Sequence, residues 1–165
     1  MISTEALGLQ HDLSLFTSGQ PALDAWLRGR AVRNQDSGDS RTFVLTDHDR
    51  VTGFYALSTA AVARVGLPGP MRRNAPDPVP LLLLGQLAVD RDWQGRGLGA
   101  ALLRDTCIRA AGALRHVGFR ALAAHPIDEL ATLFYRRYGW TEIPDCRPPL
   151  MVLPVQRLLA ALERA

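Results

Sequence analysis

The stretch Gln94-Gly95-Arg96-Gly97-Leu98-Gly99 sets three glycines at alternate positions just before an apolar, helix-favouring run. A helix start offers unpaired N–H groups and the positive end of its dipole, and residues without side chains let an anion come close to that backbone. The spacing therefore predicts a phosphate cradle. Residue types exclude two kinds of cradle. A Walker loop needs a lysine, and the chain has none. A dinucleotide fingerprint fits Gly95, Gly97 and Ala100, but it requires an acidic residue about twenty positions on. Between Thr106 and Ile127 there is no Asp or Glu. A plain strand-to-helix turn accounts for one glycine and leaves the other two unexplained.

Other residues with chemistry to offer are fewer. Tyr135 stands at helical spacing from Ala131 and by that spacing reads as a core aromatic, with Phe134 and Trp140 assigned to the core. Tyr55 and Tyr138 read as packing. His11, His48 and His116 read as surface or loop histidines, and His125 as a candidate to line an acceptor pocket. Cys107 and Cys146 form no CxxC pair and no Cys/His cluster with metal-ligand spacing, which implies no metal and a reducing compartment. All 19 basic residues are arginine, and the net charge is +3. Codon bias explains that, yet guanidinium also grips phosphate bidentately. Arg28, Arg30, Arg33, Arg72, Arg73, Arg136 and Arg137 are thus either solvated charge or contacts to nucleic-acid phosphate.

The elements that must position these residues follow from period and punctuation. With 165 residues, 47% of them hydrophobic, the chain reads as one domain spanning 1–165. The opening residues lack a basic start and a long apolar run, so a cytoplasmic protein that makes no membrane contact is expected. Pro21 opens an amphipathic helix over about 21–35. Arg41–Asp47 and Arg50–Val62 read as two strands of a hairpin turning at His48-Asp49. Gly66–Pro80, rich in Gly and Pro, reads as a loop and not a helix, a surface arm carrying Arg72 and Arg73. Leu81–Val89 reads as a strand buried on both faces. The helix after the glycines keeps Leu103, Cys107, Ala110, Ala111 and Leu114 on one face. Then come a strand at Phe119–Ala124, a helix at Ile127–Tyr138 stopped by Gly139, a last strand at Pro149–Val155 and a short C-terminal helix. The order is mixed α/β.

The pattern Q-x-x-G-x-G, preceded by a strand ending Leu87-Ala88-Val89-Asp90 and followed by Leu130–Trp140 with its Phe-Tyr and Gly-aromatic pairs, resembles the GNAT acetyltransferases. That resemblance implies the GNAT acyl-CoA N-acyltransferase fold, a mixed central sheet flanked by helices, with acetyl-CoA as donor. The donor's pyrophosphate would lie on N–H groups from Gln94, Gly95 and Arg96 through Gly97, Leu98 and Gly99. Its pantetheine arm would pair along Leu87, Ala88 and Val89, and an N–H near Val89 would polarise the acetyl oxygen. Tyr135 would assist the leaving thiolate.

Segments from about residue 11 to 155 are similar, more narrowly, to the GNAT toxins of bacterial toxin–antitoxin pairs, though His125-Pro126 stands where many GNATs carry an Asn-rich turn. The implied acceptor is the α-amine of the amino acid on charged tRNA. The implied partner is a ribbon-helix-helix antitoxin, and a homodimer is expected. An α-amine has a pKa near ~8, lowered further by an adjacent ester, so no strong general base is required. Two other readings stay open: a GNAT enzyme acting on a small amine or protein N-terminus, and a silent acyl-CoA-binding module.

Overall fold

The computed structural model describes residues 2–165. Seven strands hydrogen-bond in the order β1-β2-β3-β4-β5-β7-β6, and six helices accompany them. The sheet is mixed: β4 (Val79–Val89) runs parallel to β5 (Ala121–Ala124), whereas β7 (Leu150–Pro154) is antiparallel to both β5 and β6 (Thr141–Ile143). The chain gathers into two compact units, and each has its own core.

The first unit takes Met1–Ser58 and Gly85–Thr106. It contains β1 (Glu5–Ala6), β2 (Arg41–Asp47) and most of β3 (Arg50–Val62), paired antiparallel in that order. Leu27, Ala31, Val44, Val51 and Phe54 are fully buried, and the Trp26 ring stacks on Phe54 at 6.1 Å between centroids. Burying an aromatic of that size contributes roughly 1.5–3 kcal/mol. The single helix expected over 21–35 is two: α1 (Pro21–Gly29) and α2 (Ala31–Ser37). Gly29 weakens helix propensity where the chain breaks, and Arg30 leaves helical geometry at φ −123°. The faces survive the break, with Leu27 and Ala31 inside and Arg28, Arg30 and Arg33 outside.

The second unit takes Thr59–Leu84 and Cys107–Ala165. All four residues of β5 are buried, and Leu67, Met71, Ala75, Val79 and Leu81 join two of them, Ala121 and Ala123, in one apolar cluster. That burial corrects the reading of Gly66–Pro80 as wholly loop: α3 (Gly69–Arg72) forms there, with Pro70 in its first turn, where a missing N–H costs nothing. β4 also starts at Val79, two residues earlier than expected. Its burial on both faces holds for Leu81, Leu82 and Leu84 but fails from Gly85, which is exposed; Leu87 and Val89 are half-buried. Parallel pairing with β5 is confined to Leu81–Leu83. The two-residue β1 and three-residue β6 were not read from sequence.

Helix α4 (Leu98–Ala113) begins in the first unit and ends in the second. The remaining helices, α5 (Glu129–Arg137) and α6 (Val155–Glu163), belong to the second.

Candidate functional site

Asp90, fully buried at the end of β4, organises the glycine loop. Its Oδ2 accepts the Thr17 N–H at 3.1 Å, its Oδ1 accepts the Asp92 N–H at 3.0 Å, and Nη2 of Arg50 lies 3.4 Å from Oδ1. A buried carboxylate persists only when so satisfied. One side chain thus fixes the chain before α1, the start of β3 and the short turn Arg91–Trp93. Sequence reasoning gave Asp90 no role, because nothing local signals that two distant segments, at Thr17 and Arg50, converge on it.

The loop after that turn is set by glycine conformation. Gly95 and Gly97 have φ of +76° and +77°, the left-handed region where a side chain is strained, and a Cβ at either position meets nothing within 4 Å. Both are exposed, so the backbone there is bare and open. Leu98 and Gly99 instead form the first turn of α4, whose early bond runs from the Ala101 N–H to the Gly97 carbonyl. The preceding helical N–H groups lack intrahelical acceptors and carry the positive dipole end. These residues fit a diphosphate without a lysine.

The polar side chains named with the cradle turn to the protein itself. Gln94 Nε2 donates to the carbonyls of Ser18 (2.8 Å) and Val89 (2.9 Å). Arg96 donates to the Asp92 carbonyl at 3.0 Å, and its guanidinium lies 4.7 Å from the centre of the Trp93 ring. Ala88 points its methyl into the apolar cluster around Phe54, leaving backbone as what Leu87–Val89 can offer.

In the second unit, Asp128 caps α5 by accepting the Ala131 N–H at 2.8 Å, and Gly139 at φ +86° ends it. This brings the Tyr135 ring to 4.9 Å from Trp140 and 5.4 Å from Phe134. Trp140 is core, as expected; Phe134 is only half-buried. Burial pushes the Tyr135 phenol well above its ordinary pKa, because the phenolate would lose its hydration. It stays a neutral donor at physiological pH. Tyr55 is core, its hydroxyl donating to Asp105 at 2.6 Å, whereas Tyr138 lies largely at the surface.

Arg72 and Arg73 are exposed at the end of α3, as expected. Arg136 pairs with Glu142 at 3.5 Å, and Arg137 lies 5.9 Å from the Tyr138 ring centre. Arg28 is anchored on the Phe16 carbonyl. His48 and His116 are exposed, but His11 corrects its surface reading: it is buried, with Nδ1 accepting the Gly8 N–H and Nε2 3.0 Å from Glu5. His125 lines a cavity of about 200 Å³ in the second unit. Among the described residues no group of three His, Cys, Asp or Glu could hold a metal ion.

Comparison with known proteins agrees with this construction. Residues 38–142 match the acetyltransferase (GNAT) domain family. A tRNA-acetylating toxin of Mycobacterium tuberculosis (strain ATCC 25618 / H37Rv) is 46% identical over 142 residues, 86% of each chain. The structure of AtaT complexed with acetyl-methionyl-tRNAfMet is similar at TM-score 0.88 and 26% identity, covering 98% of this chain and 99% of that one. The crystal structure of AtaTR bound with AcCoA gives TM-score 0.86 and 27% identity over 98% of both. With residues 38–142 matching the domain family and 46% identity to that tRNA-acetylating toxin over 86% of both chains, the chain belongs to the GNAT acetyltransferases.

Proposed function

We propose that the protein moves the acetyl group of acetyl-CoA to the α-amine of aminoacyl-tRNA and so acts as the translation-blocking toxin of a toxin–antitoxin pair. The observation that carries this reading is the 46% identity, across 86% of both chains, with a tRNA-acetylating toxin. The cradle supports it: N–H groups at the start of α4 hold the diphosphate, while backbone of Leu87–Val89 receives the pantetheine arm. An N–H near Val89 polarises the acetyl oxygen.

In the reaction the neutral amine nitrogen bonds to the acetyl carbon as the carbon–sulfur bond breaks; the proton that the new amide sheds goes to solvent, and the released thiolate takes one back from solvent. Tyr135 hydrogen-bonds the departing sulfur. Handing its proton to a thiolate of pKa ~8.5 is uphill by about 2 kcal/mol for an ordinary phenol, and burial raises that cost. Tyr135 therefore works as a donor to developing charge that keeps its proton. Arg72, Arg73, Arg136 and Arg137 meet tRNA phosphates. The same reading makes a ribbon-helix-helix antitoxin the neutralising partner, a homodimer the working state, 1–165 one functional domain and the cytoplasm its location. No helix among the described residues is long and apolar enough to cross a membrane.

The test is direct. Purified protein with labelled acetyl-CoA should transfer label to aminoacyl-tRNA and leave uncharged tRNA unlabelled. If a free amine or peptide turns over while no charged tRNA does, the small-amine reading replaces this one.

A further inference from the structure

The cavity beside His125 lies wholly within the second unit, walled by Ala60 and Val62 of β3, Leu83 of β4, Ala123 of β5, His125 and Arg147. In open α/β sheets ligands gather beyond the carboxyl ends of parallel strands. His125 directly follows Ala124, the last residue of β5, which runs parallel to β4. We infer that this cavity receives the side chain of the amino acid on the charged tRNA, that it selects small apolar ones, and that His125 holds the α-amine beside it. The inference rests on the aminoacyl-tRNA reading above.

Size and chemistry set the class. An apolar cavity of about 150 Å³ holds a benzene ring, so about 200 Å³ has room for an aliphatic or phenyl-sized side chain. Aliphatic walls penalise an ionised side chain, which would exchange its water for at most one exposed guanidinium, that of Arg147. The positive charge of Arg147, whose Nη1 donates to the Cys146 carbonyl at 3.1 Å, further opposes a lysyl group. His125 supplies the complement to an amine. Its Nδ1 lies 2.9 Å from the Pro149 carbonyl, which can only accept, so Nδ1 is the donor there, and in the tautomer protonated only at Nδ1 the other nitrogen, Nε2, is left as an acceptor.

The experiment uses the whole chain and one tRNA body charged in turn with glycine, alanine, valine, methionine, phenylalanine, lysine and glutamate. Wild-type kcat/KM should favour apolar over lysyl and glutamyl groups. Ala60→Leu narrows the cavity and should lower kcat/KM for the largest accepted group roughly 10–200-fold relative to glycyl-tRNA. Leu83→Ala widens it and should shift the ratio the other way, which keeps the test alive if the first variant does not fold. His125→Phe should lower kcat/KM for every charged species while the Kd for acetyl-CoA holds. Preference for an ionised side chain, or side-chain ratios unmoved in folded cavity variants, overturns the subsite while leaving tRNA acetylation intact. Turnover of free amines with no charged tRNA accepted overturns the subsite together with the reading beneath it.

Discussion

The side-chain amide of Gln94 donates to the carbonyl of Val89 across 2.9 Å, closing the glycine loop back onto the strand that leads into it. The same nitrogen reaches the Ser18 carbonyl, so one side chain holds both ends of the loop's approach. Gln94→Leu removes both bonds at nearly constant volume. At about 1 kcal/mol for each of the two neutral hydrogen bonds, the Kd for acetyl-CoA should rise by up to roughly thirtyfold. Calorimetric titration checks this, and an unchanged Kd would show that the loop holds its shape without the brace.

Gly97 and Gly99 should respond differently to substitution, although they occupy equivalent places in the sequence pattern. Gly97→Ala forces a side chain into φ +77° and should cost about 1–2 kcal/mol in stability. It should also weaken acetyl-CoA binding, because the relaxed loop no longer presents its backbone. Gly99→Ala sits in the first turn of α4, where alanine is favoured, so thermal melting should hold or rise. Equal losses of melting temperature in the two variants would contradict the assignment.

Tyr135→Phe keeps the ring against Trp140 and deletes the hydroxyl. With a donor to the developing charge on sulfur lost, turnover should fall by about 10²–10³ with acetyl-CoA affinity and melting temperature held. Wild-type turnover in this variant would leave Tyr135 as packing alone.

Burial of Tyr135 also gives a pH signature. Its folded pKa is raised above the unfolded value near ~10. Above that pH the unfolded chain loses the phenolic proton and the folded chain keeps it, so stability falls as pH rises. Melting temperatures measured between pH 8 and pH 11, on the order of the tyrosine range, should drop more steeply for wild type than for Tyr135→Phe. Parallel curves would contradict the burial of the hydroxyl.

Replacing Arg72, Arg73, Arg136 and Arg137 by Gln should raise KM for aminoacyl-tRNA and flatten its dependence on salt. Each lost phosphate contact removes somewhat under one unit from the slope of log affinity against log salt. Acetyl-CoA binding should barely change, since its cradle is backbone. An identical salt slope in the quadruple variant would remove these arginines from the tRNA surface.

What could be read in advance was local. Glycine spacing pointed to the bare loop at the start of α4 because conformational freedom is a property of single residues, and Gly139 marked the end of α5 for the same reason; the start of α5, expected at Ile127, is Glu129, capped by Asp128. The break at Arg30 and helix α3 escaped, because Leu67 and Met71 count as core only once Val79 and Leu81 are there to receive them. Gln94 was assigned to the donor by pattern, whereas its partners Ser18 and Val89 come from separate segments. The role of Asp90 was invisible for the same reason, and of the cavity only His125 was named in advance, since its other walls come from chain segments that only the fold assembles.

The contact between Arg96 and Trp93 makes the cradle optically addressable. Trp140 is enclosed in the second unit and Trp26 is stacked on Phe54, while Trp93 lies half-buried beside the loop with a guanidinium on its ring. A diphosphate settling there should draw that guanidinium from the indole and change its emission. The fluorescence of a Trp26→Phe, Trp140→Phe background would then report donor arrival in real time, without a label and before any acetyl group moves.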